Sequence, residues 1–201
     1  MLSLTSQQKA EVDFWKQCFI HEEKSNVEEY LKRRQRDYGY YCEMFIDYWR
    51  EQPDGFGLEV GTGLFSVLGF KGDPIVALDP LIYEYDKIQR DDTRPWITYK
   101  NGSGENIPYS DQTFDYVWCC NVIDHTPNPQ RIAIEIRRVL KPKGKLFFTV
   151  NFDPELYAPH YHLWTQQTVD LAFTNFKLLC GTVRWFPAHS KYIYIGVFEK
   201  P

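Results

Sequence analysis

The chain has 201 residues, 43% of them hydrophobic and 25% charged, and a formal net charge of −4. That length predicts one domain with a sizeable core, and the acidic balance argues against general nucleic-acid binding, which needs a basic surface. Five cysteines without a C-x-x-C pair argue against a disulfide framework or cysteine zinc site, and the lack of a roughly 20-residue apolar run or signal-peptide pattern predicts a cytoplasmic protein without a membrane span.

The first 52 residues are predicted to form an N-terminal helical cap. Ser6 is positioned to cap a helix over 7–20, where apolar residues recur at helical spacing. A second helical stretch follows over 27–49 and ends at a Pro-Asp-Gly stop. We assign residues 53–201 to the core and the whole chain, 1–201, to a single domain.

Seven apolar stretches after the cap are predicted strands, at 56–60, 74–78, 96–99, 114–120, 146–150, 176–184 and 192–199. Helices are predicted between them at 64–68, 83–90, 129–140 and 165–174. Strands alternating with helices build a mostly parallel sheet covered on both faces, and the last strand pair predicts an antiparallel C-terminal edge. The fold class is therefore α/β, a Rossmann-like doubly wound sheet of seven strands.

Ligands bind such sheets beyond the carboxyl ends of the strands, where the strand order reverses. Four segments follow predicted strand ends here, at 59–65, 79–81, 103–106 and 121–125. We expect these segments to surround one crevice.

A glycine-rich turn, L-E-V-G-T-G-L-F-S at residues 58–66, follows the first strand. Its glycines let the backbone approach a ligand, but the dinucleotide pattern G-x-G-x-x-G fails at its last position. Glu59 suits a cationic amino group rather than a pyrophosphate, and Asp79 matches the two donors of a ribose. S-adenosylmethionine fits these features better than NAD. Taken singly, the glycines also fit an ordinary tight turn, and Asp79 before Pro80 fits a helix cap.

Four ordered blocks over residues 56–151 resemble the class I S-adenosylmethionine-dependent methyltransferases: L-E-V-G-T-G, V-A-L-D-P-L, E-N-I-P-Y-S-D-Q-T-F-D-Y-V, and N-V-I-D-H-T-P-N-P with R-R-V-L-K-P-K-G-K-L. The sequence departs from the family pattern at Phe65, in place of a third glycine, and at Ser103, where many relatives have Asp. The resemblance implies that S-adenosylmethionine is the cofactor and that ten residues bind it: Glu59, Gly61, Gly63, Asp79, Pro80, Leu81, Gly104, Glu105, Asn106 and Asn121.

His125 is the candidate catalytic base, because histidine titrates near neutrality and the adjacent Asp124 can orient it. A helix-capping or backbone-held histidine is the alternative. In some relatives E-x-x-E-H binds a divalent metal at this place, so the similar N-x-x-D-H keeps open a Mg²⁺ or other divalent site with Asp124, His125 and Asp153. His160 and His162 are further catalytic candidates, through that metal or through hydrogen bonds to a polyhydroxylated acceptor. The alternative is a polar surface loop.

The D-P-L block and N-V-I-D-H-T-P-N-P are similar to methyltransferases found beside glycosyltransferases in surface-polysaccharide pathways. That resemblance implies O-methylation of a small-molecule or glycan acceptor, with a sugar hydroxyl favoured. A phenolic or lipid-like hydroxyl is the alternative, consistent with aromatic-rich N-terminal helices. A non-catalytic module with the same fold is the hypothesis from another class, motivated by Phe65 and Ser103, and a nicotinamide oxidoreductase is a distant third. The sequence does not determine the oligomeric state.

Overall fold

The structure, a computed structural model, describes residues 4–17, 28–29, 31–33, 35–36, 45, 54–88, 92–153, 161–186 and 191–201. Most of the predicted helix over 27–49 lies outside these residues, and 28–29, 31–33 and 35–36 are helical. The strands are β1 Gly57–Val60, β2 Ile75–Asp79, β3 Ile97–Asn101, β4 Phe114–Cys120, β5 Leu140–Phe152, β6 Lys177–Phe186 and β7 Lys191–Glu199. The helices are α1 Ser6–Gln17, α2 Ile82–Asp86, α3 Pro129–Val139 and α4 Gln166–Ala172, with a 3-10 turn at Ile123–His125.

The seven strands form one sheet in the order β3-β2-β1-β4-β5-β7-β6. Strands β1 to β5 pair in parallel, and β7 is antiparallel to both of its neighbours. This confirms the predicted mostly parallel sheet with antiparallel C-terminal strands. Because β7 lies between β5 and β6, the strand at that edge is β6.

Each face of the sheet carries its own apolar cluster. Leu58 and Phe148 pack on one face with Ile136 of α3, while Trp118 and Phe147 pack on the other. Neighbouring residues of one strand thus belong to opposite clusters, as the two-residue period of a strand requires. Strands β1 and β2 are buried at every position because they lie inside the sheet and both of its faces are covered.

Two helix starts matter for the site. Helix α1 is capped by Thr5 and not by the predicted Ser6, because Thr5 Oγ1 accepts from Gln8 N at 3.2 Å and Gln8 Oε1 accepts from Thr5 N at 3.0 Å. Helix α3 begins with Asn128, whose side chain accepts from Arg131 N at 3.1 Å, followed by Pro129 in the first turn.

The predicted helix over 64–68 is wrong, since residues 61–69 form neither helix nor strand. The N–H groups of residues 63, 66 and 67 donate to side chains of Asp79, Tyr99 and Glu59. The carbonyl groups of residues 66 and 68 accept from Arg94. Side chains from distant strands and loops take the bonds that a helix would make internally. The glycine turn therefore does not lead into a helix N-terminus.

Two other boundaries differ from the predicted ones. Strand β5 runs from residue 140 to 152 because Leu140 already pairs with Phe114, and after an irregularity Lys145 pairs with Tyr116. Helix α2 ends at residue 86 instead of 90. Among the described helices, none is long and apolar enough to cross a bilayer.

Candidate functional site

A cavity of about 910 Å³ lies at the carboxyl ends of β1, β2 and β4. These three strands are neighbours, so the residues that follow them meet at one place. Eight of the ten predicted cofactor residues line the cavity: Glu59, Gly61, Gly63, Asp79, Pro80, Leu81, Glu105 and Asn121. The predicted crevice is therefore present, and its wall also includes seven residues at or before α1: Thr5, Gln7, Gln8, Ala10, Glu11, Phe14 and Trp15.

The glycine turn brings backbone against neighbouring side chains. Gly61 has φ 71° and Gly63 has φ 64°, both in the left-handed region that disfavours a side chain. A Cβ at Gly61 would lie 2.5 Å from Val122, and one at Gly63 would lie 2.5 Å from Trp15. Both positions thus require glycine for conformation and for space.

Glu59 is a buried carboxylate that holds the loop beside the cavity. Its side chain accepts from the Ser66 hydroxyl and from Val67 N, the latter at 3.3 Å. Only 2% of the residue is exposed. The carboxylate therefore gives this wall a negative charge and at the same time fixes the segment that replaces the predicted helix.

Asp79 is a buried carboxylate at the end of β2. Oδ2 accepts from Gly63 N at 3.0 Å and Oδ1 from Leu81 N at 2.9 Å. Burial raises the pKa of Asp79 to about 7, although these two hydrogen bonds act in the opposite direction. A carboxylate has about four lone-pair positions, so two acceptor positions remain for the two hydroxyls of a ribose.

The turn after β3 contacts helix α3. Glu105 accepts from Asn128 N at 2.8 Å, and its carbonyl accepts from Arg131 Nε at 3.1 Å. Ser103 and Glu105 of this turn line the cavity. Gly104 packs against Val60, and Asn106 is exposed. The structure thus places two of the predicted cofactor residues, Gly104 and Asn106, beside the cavity wall and not on it.

Two further lining residues have properties typical of a binding site. Thr62 is buried, and its hydroxyl has no hydrogen-bond partner among the described residues. Asn121 has a left-handed φ of 57°, and its Oδ1 accepts from Asn151 Nδ2 at 2.6 Å. Buried orphan donors and left-handed non-glycine residues concentrate at functional sites. The buried carboxylate of Asp79, the close-approach glycines and this hydroxyl together fit an adenosyl cofactor.

His125 lies between two carboxylates. Its Nδ1 is 3.4 Å from Glu11 Oε2 in α1, and its Nε2 is 3.8 Å from Asp124 Oδ2. Burial alone would lower the pKa of His125, but the hydrogen bond with Glu11 and the charge of Asp124 raise it above the ordinary value. His125 is among the lining residues of the cavity, and its Nε2 is itself buried, so the candidate base borders the space that the cofactor residues line.

The remaining catalytic and metal candidates do not join His125. His162 Nε2 lies 3.0 Å from the carbonyl oxygen of Thr126, and the ring is not among the described lining residues. Asp153 forms an ion pair with Lys191 at 3.1 Å, and no three His, Cys, Asp or Glu side chains in the described parts of the chain converge as metal ligands. The metal site with Asp124, His125 and Asp153 therefore stays a prediction, and His160 lies outside the described residues.

Helix α1 supplies site residues that sequence reasoning missed. Glu11 and Trp15 lie one helical turn apart, and Trp15 Nε1 donates to Glu11 Oε1 at 2.8 Å. The i, i+4 spacing was readable in the sequence, but it predicts only that the two side chains meet. Which wall of the sheet the pair covers depends on how α1 packs.

Known proteins resemble the chain in sequence and in fold. Residues 58–148 match the family model described as "Methyltransferase domain". A ubiquinone biosynthesis O-methyltransferase of Xanthomonas oryzae is 31% identical over 124 residues, which are 56% of this chain and 52% of that protein. A glycine/sarcosine/dimethylglycine N-methyltransferase of Actinopolyspora halophila is 43% identical over 53 residues, 26% of this chain and 9% of that protein.

A crystal structure of a SAM-dependent methyltransferase from Methanosarcina mazei superposes with a TM-score of 0.62 at 19% identity, over 77% of this chain and 96% of that one. The matched curated relatives are longer, and the chain spans about half or less of their length. The matched domain contains the turn, the strand ends and the candidate base described above. Residues 58–148 thus resemble a methyltransferase domain in sequence, and the fold around the site is the one seen in that S-adenosylmethionine-dependent methyltransferase.

Proposed function

We propose that this protein transfers a methyl group from S-adenosylmethionine to a hydroxyl group, most readily that of a sugar or glycan. The observation that carries the proposal is the shared cavity: Asp79 and the Gly61–Gly63 turn line it together with His125. A cofactor held at the strand ends and an acceptor beside the imidazole would then be in one enclosed space. Holding two reactants in this way is worth on the order of 7–11 kcal/mol of the barrier.

The residues present divide the binding task. Asp79 accepts from the ribose hydroxyls, and Leu81 offers an apolar surface for the adenine. The glycines of the Gly61–Gly63 turn leave space for the cofactor to lie against the backbone. Glu59 provides negative charge for the amino group. The bound cofactor supplies an electrophilic methyl group on a sulfonium. His125 takes the acceptor's proton while the new O–C bond forms and the S–C bond breaks, which leaves S-adenosylhomocysteine.

The polar part of the lining supports a sugar acceptor. Four amide side chains line the cavity, namely Gln7, Gln8, Asn121 and Asn151. An amide offers both donors and an acceptor, and so matches hydroxyl groups that both give and accept hydrogen bonds. The aromatic rings of Phe14, Trp15 and Tyr161 on the same wall offer flat apolar surfaces for a sugar ring.

A phenolic acceptor is the second candidate. The rings of Phe14 and Trp15 lie on the α1 side of the cavity, where Glu11 meets His125. The O-methyltransferase relative from Xanthomonas oryzae is named for ubiquinone biosynthesis. A small phenol would use the same base and replace amide contacts by ring packing.

A labelled-methyl assay over deoxysugars, nucleotide sugars and catechol-type phenols, with magnesium and with chelator, tests both candidates. We expect His125→Ala to lower turnover by roughly 10²–10⁴-fold, the usual contribution of a positioned base, and to keep binding of S-adenosylhomocysteine in calorimetry. His162→Gln is the matched histidine comparison, and we expect a loss of less than about tenfold, since its ring contacts loop carbonyls.

Two results would contradict the proposal. Unchanged turnover in His125→Ala removes the base. No binding of S-adenosylmethionine or S-adenosylhomocysteine by the wild-type protein would favour a non-catalytic module, and binding of NADH instead would revive an oxidoreductase.

A further inference from the structure

Helix α1 forms part of the cavity wall. Val12 is buried with Leu64, Leu81 and Tyr85, which belong to the glycine loop and the segment after β2. Six other residues of the same helix line the cavity, namely Gln7, Gln8, Ala10, Glu11, Phe14 and Trp15. The helix is thus both part of an apolar cluster and part of the site.

A single carboxylate connects α1 to the candidate base. Glu11 Oε1 accepts from Trp15 Nε1 at 2.8 Å, which fixes the side chain on the helix. Glu11 Oε2 lies 3.4 Å from His125 Nδ1. One carboxylate oxygen of Glu11 therefore contacts Trp15 within α1, and the other contacts His125.

The same carboxylate is connected to the cofactor turn through Trp15. The indole lies over Gly63, where an added Cβ would be 2.5 Å from Trp15 Cζ2. Gly63 N in turn donates to Asp79 at 3.0 Å. A continuous set of contacts thus runs from the predicted ribose carboxylate through the turn and the indole to Glu11 and the imidazole.

We propose that Glu11 is a positioning residue for methyl transfer, which holds His125 through Nδ1 when α1 packs on the cofactor turn. The inference rests on the proposed function, because it assigns the carboxylate that orients the proposed base. The charged groups around the ring are Glu11 from α1, Asp124 from the 3-10 turn and Lys191 from β7. With Nδ1–H directed at Glu11, the neutral ring keeps its lone pair on Nε2, and Asp124 at 3.8 Å from Nε2 stabilises the imidazolium once the proton arrives.

Glu11→Gln tests the assignment, because glutamine keeps the size of the side chain and a single oxygen that can still accept from Trp15. Asp13→Asn is the matched control, an exposed acid on the same helix. In the wild-type protein, ¹⁵N chemical shifts of the neutral His125 ring should show the proton on Nδ1. Glu11→Gln should move the ring toward the Nε2–H form, and Asp13→Asn should not.

The kinetic consequence is a split between turnover and binding. With the acceptor that turns over in the panel, we expect Glu11→Gln to lower kcat about tenfold or more, a partial loss of base catalysis, while the Kd for S-adenosylhomocysteine stays within threefold. Trp15→Phe keeps the ring over Gly63 but loses the N–H, and should give a smaller loss of kcat.

Matching tautomers and matching kcat in Glu11→Gln and Asp13→Asn would overturn the assignment. Failure of the wild-type protein to bind S-adenosylhomocysteine would instead refute the proposed function. The tautomer comparison needs neither cofactor nor acceptor, so the two failures are distinguishable.

Discussion

Gly61 and Gly72 share a left-handed backbone but differ in their surroundings. Gly61 has φ 71° with Val122 at 2.5 Å from an added Cβ, whereas Gly72 has φ 89° with nothing within 4 Å. Alanine at either position costs about 1–2 kcal/mol for the backbone alone. At Gly61 the contact with Val122 adds to that cost, because overpacking a core costs roughly another 1–3 kcal/mol.

We therefore expect Gly61→Ala to destabilise the protein more than Gly72→Ala by about 1–3 kcal/mol in urea denaturation. Gly61→Ala should also weaken S-adenosylhomocysteine binding, since the turn lines the cavity. Adding Val122→Ala should recover the steric part and leave the backbone part. Equal losses for the two single variants would show that the turn is not tightly packed.

The proposed contact of Asp79 with ribose hydroxyls predicts that cofactor binding depends on pH. Its pKa is raised to about 7 by burial, and the ionised form is the one that accepts from two hydroxyls. The Kd for S-adenosylhomocysteine should therefore fall about tenfold between pH 6 and pH 8, as measured by calorimetry. In Asp79→Asn the affinity should be lower and nearly flat over that range; an equally flat wild-type profile would contradict the assignment.

The same shift has the opposite effect on the free protein. A carboxyl group whose folded pKa lies above its unfolded value binds more protons in the folded state, so stability is present at low pH and is lost as pH rises from about 4 to 7. The ligand-free protein thus loses stability over the range in which it gains affinity. The denaturation midpoint without ligand should therefore fall between pH 6 and pH 8, whereas with saturating ligand the tenfold gain in affinity offsets this loss and the midpoint should stay nearly constant.

At the scale of elements, the segment over 61–69 depends on one arginine. Arg94 donates from Nη1 to Leu68 O at 2.7 Å and from Nη2 to Ser66 O at 3.0 Å, and it pairs with buried Asp92 at 2.7 Å. Burial raises the pKa of Asp92, but the bonds to Arg94 and Tyr99 outweigh it and hold the pKa below the usual value. This contribution to stability is present above the unfolded pKa and is lost as pH falls.

Arg94→Ala should lower the free energy of unfolding by about 3–5 kcal/mol, because it leaves a buried carboxylate without its cation. It should also weaken S-adenosylhomocysteine binding, since the segment carries Gly61 and Gly63. Lys87→Ala is the control: its pair with Glu84 is exposed and is worth about 0–1 kcal/mol. A loss as small as that of the control would show that the segment holds its shape by other contacts.

An element could be predicted from the sequence when its conformation depends on its own residues, and not when it depends on hydrogen bonds to side chains that are distant in sequence. All seven strands were predictable from apolar stretches of strand length, and the helix predicted from residue 129 does begin there. The irregular conformation of residues 64–68 was not predictable, because Leu64 and Phe65 fit a helix locally. The N–H groups of this segment instead donate to side chains that are distant in sequence, those of Tyr99 and Glu59. The capping residue of α1 moved by one position, because Gln8 completes a reciprocal cap with Thr5.

At the scale of the whole molecule, the cavity joins parts of the sheet that are distant in sequence. In the order β3-β2-β1-β4, the strand order reverses between β1 and β4. The lining residues of the cavity come from β1, β2, β4, β5, β7 and α1 and from loops between the elements. A ligand that contacts all of these walls binds only the folded state and stabilises it by about 2.7 kcal/mol at 100 times its Kd.

S-adenosylhomocysteine should therefore raise the melting temperature by about 5–10 °C for a chain of this size at that concentration. NADH at the same concentration serves as the comparison and should leave it unchanged. A thermal-shift experiment is sufficient, and a shift with NADH but not with S-adenosylhomocysteine would reverse the cofactor assignment.

The strand succession, the glycine turn and the acids near the ends of β1 and β2 can be predicted from the residues alone, because they depend on local apolar pattern, backbone freedom and the position of a residue near a strand end. Which side chains meet at the cavity depends on the folded structure. It paired Asp153 with Lys191, and it brought Glu11 to the imidazole from more than a hundred residues away. Contacts between distant segments follow from how helices and loops pack on the sheet, and no short stretch of residues encodes that packing.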